Sequence, residues 1–186
     1  MMNSWSLPTS AIIGGTEYKI NADFRDVLEV VNYLSDTSRP EFLRWPIALA
    51  LFYDGDIPKE YHREAMDFMS SFVAYGNSDT KPGPKLLDWN RDAQIIVADV
   101  NKVAGMEVRA VPFLHWWTFL SYFYGIGEGQ LSTVISIRSK KAKGKKLEKW
   151  EQEYYRENKA MIDMKRTESE SDRAEKESIM KYLRGE

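Results

Sequence analysis

Apolar residues recur along this chain at helical spacing in several places and at strand spacing in one. Ala11-Ile12-Ile13 and Glu17-Tyr18-Lys19-Ile20 flank Gly14-Gly15-Thr16, and paired glycines between short β-prone runs predict a tight hairpin. Asp23 is placed to cap a helix on which Phe24, Val27, Leu28, Val31 and Leu34 recur at three and four, an amphipathic face that ends near Ser35. A second helix is predicted over 41–53 through Phe42, Trp45, Leu49 and Phe52. Pro46 either kinks it or marks its true first turn. The turn Asp54-Gly55-Asp56-Ile57-Pro58 leads into a third helix with Tyr61, Ala65, Phe68, Met69 and Phe72 on its apolar side. Residues 76–85 hold Gly76, Pro82, Gly83 and Pro84 and read as a loop. Asp88 is the predicted N-cap of a fourth helix carrying Trp89, Ala93, Ile96, Val97, Val100 and Val103, which stops at Gly105.

The stretch 113–124 is different in kind, with seven aromatic residues in twelve positions. At helical pitch it covers about three turns and roughly 18 Å. Apolar side chains on nearly every side imply burial on nearly every side. The segment is therefore the centre of a helical domain, a protein-binding surface, or both. Its narrow polar stripe is His115, Thr118 and Tyr122, where an imidazole is expected to satisfy a backbone carbonyl or a neighbouring side chain. A short sixth helix over 131–138 places Leu131, Val134 and Ile135 on one side.

Beyond Gly144 the pattern changes again. Leu147, Trp150, Tyr154, Met161 and Met164 repeat at heptad-like spacing in an otherwise charged segment, with Glu157 interrupting the seam. After Thr167 the chain is too polar to bury a core and reads as a solvated helix or a disordered tail. Ile179, Met180, Tyr182 and Leu183 form a small apolar cluster near its end. The expected fold is mainly α: a compact bundle of about six helices with a small N-terminal β-hairpin and a long charged C-terminal helix. The expected organisation is an N-terminal hairpin segment over 1–22, a helical core domain over 23–143, and a coiled-coil-like helix with its tail over 144–186.

Composition narrows the function. At 186 residues and 43% hydrophobic content the chain is long enough to bury its own core. No run of about 18 apolar residues occurs, so no spanning helix is expected. The first residues lack a basic and an apolar region, so no secretory signal is expected either. With no cysteine there is no disulfide framework and no thiolate chemistry. His62 and His115 are the only histidines and lie in different predicted helices, so no metal site is expected. Gly125-Ile126-Gly127-Glu128-Gly129 follows a helix, not a strand, which makes it a C-cap and turn and not a phosphate loop. No G-x-S-x-G elbow occurs, and no histidine is placed to serve a nucleophile. Neither an enzyme nor a cofactor is expected.

The formal charge of −2 hides one strongly basic run. Arg138, Lys140, Lys141, Lys143, Lys145, Lys146 and Lys149 stand against Glu148 alone. Such a density of cations can neutralise phosphates. Yet no aromatic residue lies among them to stack on bases, so a solvated basic face, or one that pairs with an acidic protein, is favoured over nucleic acid.

Leu114-His115-Trp116-Trp117-Thr118-Phe119, then Ile126-Gly127-Glu128, then Leu131-Ser132-Thr133-Val134-Ile135-Ser136-Ile137-Arg138 and the lysine-rich 140–149 together resemble the bacteriophage gene-product-fifteen family of tailed phages and prophages. Ile47-Ala48-Leu49-Ala50-Leu51-Phe52-Tyr53, Ile57-Pro58 and Asp92-Ala93-Gln94-Ile95-Ile96 extend the resemblance over about 20–165. The resemblance implies a small helical protein like the siphophage tail assembly chaperones, encoded next to the tape measure protein. Such a protein acts in the cytoplasm of the infected or lysogenic host and is absent from the mature virion. The implied partners are the tape measure protein and a second tail assembly chaperone, with self-association as a further possibility and no membrane contact. On this reading Trp116, Trp117, Phe119, Phe123, Trp150 and Tyr154 are the candidate protein-binding residues, and Arg138, Lys140, Lys141, Lys143, Lys145, Lys146 and Lys149 form the basic patch. The competing readings are a nucleic-acid-binding phage protein using 138–149 and a structural tail component.

Overall fold

The Gly14-Gly15 turn joins two antiparallel strands, β1 (Ser10–Ile13) and β2 (Thr16–Ile20), in a computed structural model that describes residues 5–36, 39–76 and 83–164. Both glycines take positive φ, 56° and 80°, the conformation a two-residue hairpin of this twist requires. A third strand, β3 (Tyr53–Asp54), pairs antiparallel with β2 through Ile20↔Tyr53 and Lys19↔Asp54 and completes a sheet of order β1-β2-β3. The hairpin was legible; a two-residue strand is too short to leave a periodic signal.

Eight α-helices occupy most of the other described residues and make the fold mainly α. They are α1 (Phe24–Ser35), α2 (Glu41–Phe52), α3 (His62–Val73), α4 (Ala93–Ala104), α5 (Trp116–Tyr124), α6 (Gln130–Ala142), α7 (Lys149–Glu157) and α8 (Lys159–Ile162). Asp23 caps α1 as its sequence position predicts, accepting the Arg25 N–H at 3.0 Å. The same carboxylate accepts the Leu114 N–H at 2.8 Å. Around it, Phe24 N–H donates to Leu114 O and Trp116 N–H donates to Ala22 O, so the starts of α1 and α5 are laced together across 91 positions of sequence. Burial pushes the Asp23 carboxyl up, but the Arg25 guanidinium and the two backbone donors outweigh this and hold its pKa below the usual value.

α5 is the central element that its composition predicts, though it begins three residues later than the aromatic stretch. His115 is its N-cap: Nδ1 accepts the Trp117 N–H at 3.0 Å. Trp116, Trp117, Phe119 and Leu120 are buried. Phe119 stacks on Phe24 at 4.6 Å between ring centroids, and Trp117 lies over Phe72 at 5.7 Å. Both indoles donate to the end of α3, Trp116 Nε1 to Val73 O at 3.1 Å and Trp117 Nε1 to Phe72 O at 2.9 Å. A buried Trp needs such a partner, and the carbonyls of a helix's last turn are the ones left without one.

Two predicted boundaries shift for local reasons. Asp88 caps a turn and not α4: its Oδ1 accepts the Arg91 N–H at 3.0 Å, and the helix starts at Ala93, after Asp92. α6 runs on to Ala142, and the added turn carries Lys140 and Lys141, which are paired with Glu151 and Asp163.

The long C-terminal helix expected beyond Gly144 is two short helices among the described residues. The break falls at Asn158, where φ −112° and ψ 24° leave the helical region. It lets Ile162 drop fully into the core. The expected seam does not form a coiled-coil stripe. Trp150 is 56% exposed, Leu147, Tyr154, Met161 and Met164 are half-buried, and the buried residue of α7 is Glu151. Leu147, Tyr154 and Met161 pack against the core of this same chain, and the Glu151–Lys140 ion pair holds α7 to α6 beside them. The tail after Thr167 and the cluster Ile179, Met180, Tyr182 and Leu183 lie outside the described residues.

Candidate protein-binding surface

Of the six candidate binding rings, the fold takes three for itself. Trp116, Trp117 and Phe119 are between 1% and 4% exposed, so no partner reaches them in this fold. The reason is physical: each indole N–H is consumed by an α3 carbonyl, and each ring has aromatic neighbours on its faces. Phe123 is half-buried beneath Trp89, 5.0 Å away. Tyr154 is half-buried against the core, and Trp150 stands at the surface.

The basic run divides the same way. Arg138 points inward and uses every N–H of its guanidinium. Nη1 and Nη2 clasp the Asp92 carboxylate at 2.6 and 2.9 Å, Nη1 also reaches Leu86 O at 2.9 Å, Nη2 reaches Met161 O at 2.8 Å, and Nε reaches Ile162 O at 2.9 Å. One side chain thereby joins the segment before α4, the start of α4, α6 and α8. Lys140 donates to both oxygens of buried Glu151 at 2.7 Å. That bond, helped by the Glu148 N–H, holds the Glu151 pKa below the usual carboxylate value against the opposing effect of burial. Lys141 reaches Asp163 at 2.5 Å and lies 3.6 Å from the centroid of the Tyr155 ring. Lys141 and the Tyr155 hydroxyl together lower the Asp163 pKa. Only Lys143, Lys145, Lys146 and Lys149 remain exposed and without an acidic partner among the described residues. The first three cations of the run are structural, and the last four form a surface.

The other chemically suggestive residues are also accounted for by the fold. His115 Nδ1 accepts a hydrogen bond, so the ring proton sits on Nε2 and is donated to Pro8 O at 2.9 Å. Burial lowers its pKa below the ordinary 6.5 despite that carbonyl. His62 Nε2 is hydrogen-bonded to Ile57 O at 3.0 Å. Among the described residues no group of three or more His, Cys, Asp or Glu is arranged to hold a metal ion. Gly129 ends the glycine-rich turn and is pressed against Asp99, where a Cβ would lie 2.6 Å from Oδ2. That carboxylate accepts the Leu131 N–H at 2.9 Å. The anion that the start of α6 attracts is therefore already supplied by the protein.

One exposed apolar surface lies at the start of α2. Phe42 is 77% exposed, with Leu43 and Trp45 exposed beside it. Next to them Pro46, Leu49, Ala50 and Ile57 line a shallow cleft of about 150 Å³. Arg44 Nε, on the same turn, is shielded from solvent and has no hydrogen-bond partner among the described residues. The sequence carried a signal for this surface: between Phe42 and Phe52 the helix has one charged residue, Arg44, and one core-facing stripe cannot absorb so many apolar positions. The predicted stripe runs through Phe42, Trp45, Leu49 and Phe52, of which Leu49 and Phe52 are buried and Phe42 and Trp45 exposed. In three dimensions the stripe outruns the body it packs on.

No helix among the described residues is long and apolar enough to cross a membrane. Neither a curated protein nor a solved structure matches the chain. The family model described as Bacteriophage Gp15 protein matches residues 4–164, which span the hairpin, the α5 core and the Arg138 clasp, and the chain belongs to that family.

Proposed function

We propose that this phage protein is a non-catalytic tail assembly chaperone that binds the tape measure protein in the host cytoplasm before the tail tube encloses it. The observation that carries the reading is the aromatic face at the start of α2, where Phe42, Leu43 and Trp45 are exposed beside the Pro46–Leu49–Ala50 cleft. A tape measure is a long helix with apolar stripes, an aggregation hazard until it is covered. Helices of that kind dock their apolar face into hydrophobic grooves through anchors one turn apart. Phe42 and Trp45 present aromatic side chains at that spacing. Weak contacts repeated over many copies allow tube subunits to displace the chaperone.

The nucleic-acid reading loses support in the fold, since Arg138, Lys140 and Lys141 are committed to Asp92, Glu151 and Asp163. Co-expression with the tape measure protein encoded beside it tests the proposal. A soluble complex that forms with the native chain and is lost with Phe42→Ser and Trp45→Ser supports it. A tape measure that stays insoluble with the native chain, or a complex indifferent to both changes, removes it.

A further inference from the structure

Lys143, Lys145, Lys146 and Lys149 crowd four exposed cations into seven positions, with Glu148 as the only acid there, a local charge of four minus one, or +3. Gly144 takes φ 63° between them, so the lysines surround a tight turn and do not line one helix face. None has an acidic partner among the described residues, while the three cations before them have taken Asp92, Glu151 and Asp163. Trp150 follows immediately and is 56% exposed. Clustered like charge beside a bare indole fits an acidic segment that continues into apolar residues.

The chain carries such a segment. Glu168, Glu170, Asp172, Glu175 and Glu177 fall within ten positions against Arg173 and Lys176, and Ile179, Met180 and Tyr182 come next. Met164 shares a pocket rim with Lys141 and Ala142, beside Lys143, and only Lys165, Arg166 and Thr167 separate it from Glu168. An extended chain covers about 3.3–3.6 Å per residue, so the acids begin within reach of the lysine turn.

We propose that the acidic run 168–177 of this chain is the occupant of the Lys143–Lys149 surface, with the apolar residues after it meeting Trp150. Single exposed ion pairs bind weakly, but a short tether raises the local concentration of the acids to the millimolar range.

Zero-length carbodiimide coupling of the full chain tests this, because it joins only carboxylates and amines in contact. The expected result is links from the 168–177 acids to Lys143, Lys145, Lys146 and Lys149 about tenfold above links to the exposed control Lys59, suppressed at about 0.5 M salt. Links no more frequent than those to Lys59 overturn the proposal. In a mixture of heavy- and light-isotope chains the links stay within one isotope; heavy-to-light links overturn it in favour of association between copies. A second variant, with all four lysines changed to Gln, keeps every buried contact. Trypsin is expected to cut it after Arg173 and Lys176 several-fold faster than the native chain, and an unchanged rate overturns the assignment.

Discussion

Arg138 and Asp92 meet through two parallel N–H···O bonds of 2.6 and 2.9 Å, with both side chains almost wholly buried. Removing one partner strands the other charge in the interior, at a cost of about 3–5 kcal/mol. Arg138→Leu and Asp92→Asn are each expected to lower the denaturant midpoint accordingly. Arg138→Lys is expected to rescue little, because an ammonium cannot reproduce the fork that also serves Leu86, Met161 and Ile162. Replacing both partners by apolar residues is expected to cost less than the sum of the single changes. Urea unfolding of the four variants measures all of this.

His115 ties stability to pH. Its folded pKa is lowered by burial, so the native ring is neutral and the unfolded chain binds the extra proton as pH falls through about 6.5. The stabilisation is fully present above that value and is lost progressively below it, as Nδ1 takes a proton and can no longer accept from Trp117. Asn is itself a good N-cap. Comparing urea midpoints at about pH 7.5 and about pH 5.5, the native chain is expected to weaken at the lower pH and His115→Asn to show a smaller difference.

The two groups of aromatic residues are expected to respond in opposite ways. Trp117→Ala removes a buried ring together with its indole bond to Phe72 O, at about 3–5 kcal/mol. Phe42→Ser alters an exposed position, and surface changes stay within about 0.5 kcal/mol. Calorimetry separates the classes before any binding experiment is done. A large loss of stability from Phe42→Ser shows that this ring belongs to the core.

Gly129 and Asp99 are coupled as well. A methyl group at Gly129 displaces the Asp99 carboxylate from the Leu131 N–H, leaving a buried donor unmet at about 1–3 kcal/mol. Gly129→Ala is expected to be nearly harmless in an Asp99→Ala background. A double-mutant cycle in chemical denaturation reads the coupling, and simple additivity would show that the close approach has no energetic weight.

The hairpin, the faces of α1 and α3, the Gly105 stop and the centrality of α5 could all be read from the chain because each rests on local spacing. What escaped was set by distant partners. Trp116 and Trp117 are interior because the α3 carbonyls receive their N–H groups. Arg138 belongs to the core because Asp92, 46 positions away, faces it, although in sequence it looks like the first member of a basic run. Glu151 is buried for the same reason, with Lys140 as its partner. Charge patterning along a chain gives the sign of each group but not which charges cancel, so the outward surface shrank from seven cations to four only when their partners were known.

The lacing of Asp23 to Leu114 and His115 also sets an order of assembly. The hairpin closes over a few residues, whereas the start of α1 finds its backbone partners only after 91 more positions have been made. Contacts of such separation form late and slow the search. A ribosome that has delivered α1 to α4 has therefore released Phe24 and Phe72 without Phe119 and Trp117, the α5 rings that stack on them. This protein spends most of its synthesis with those rings uncovered, and its core is complete only once Ile162 of α8 has been made.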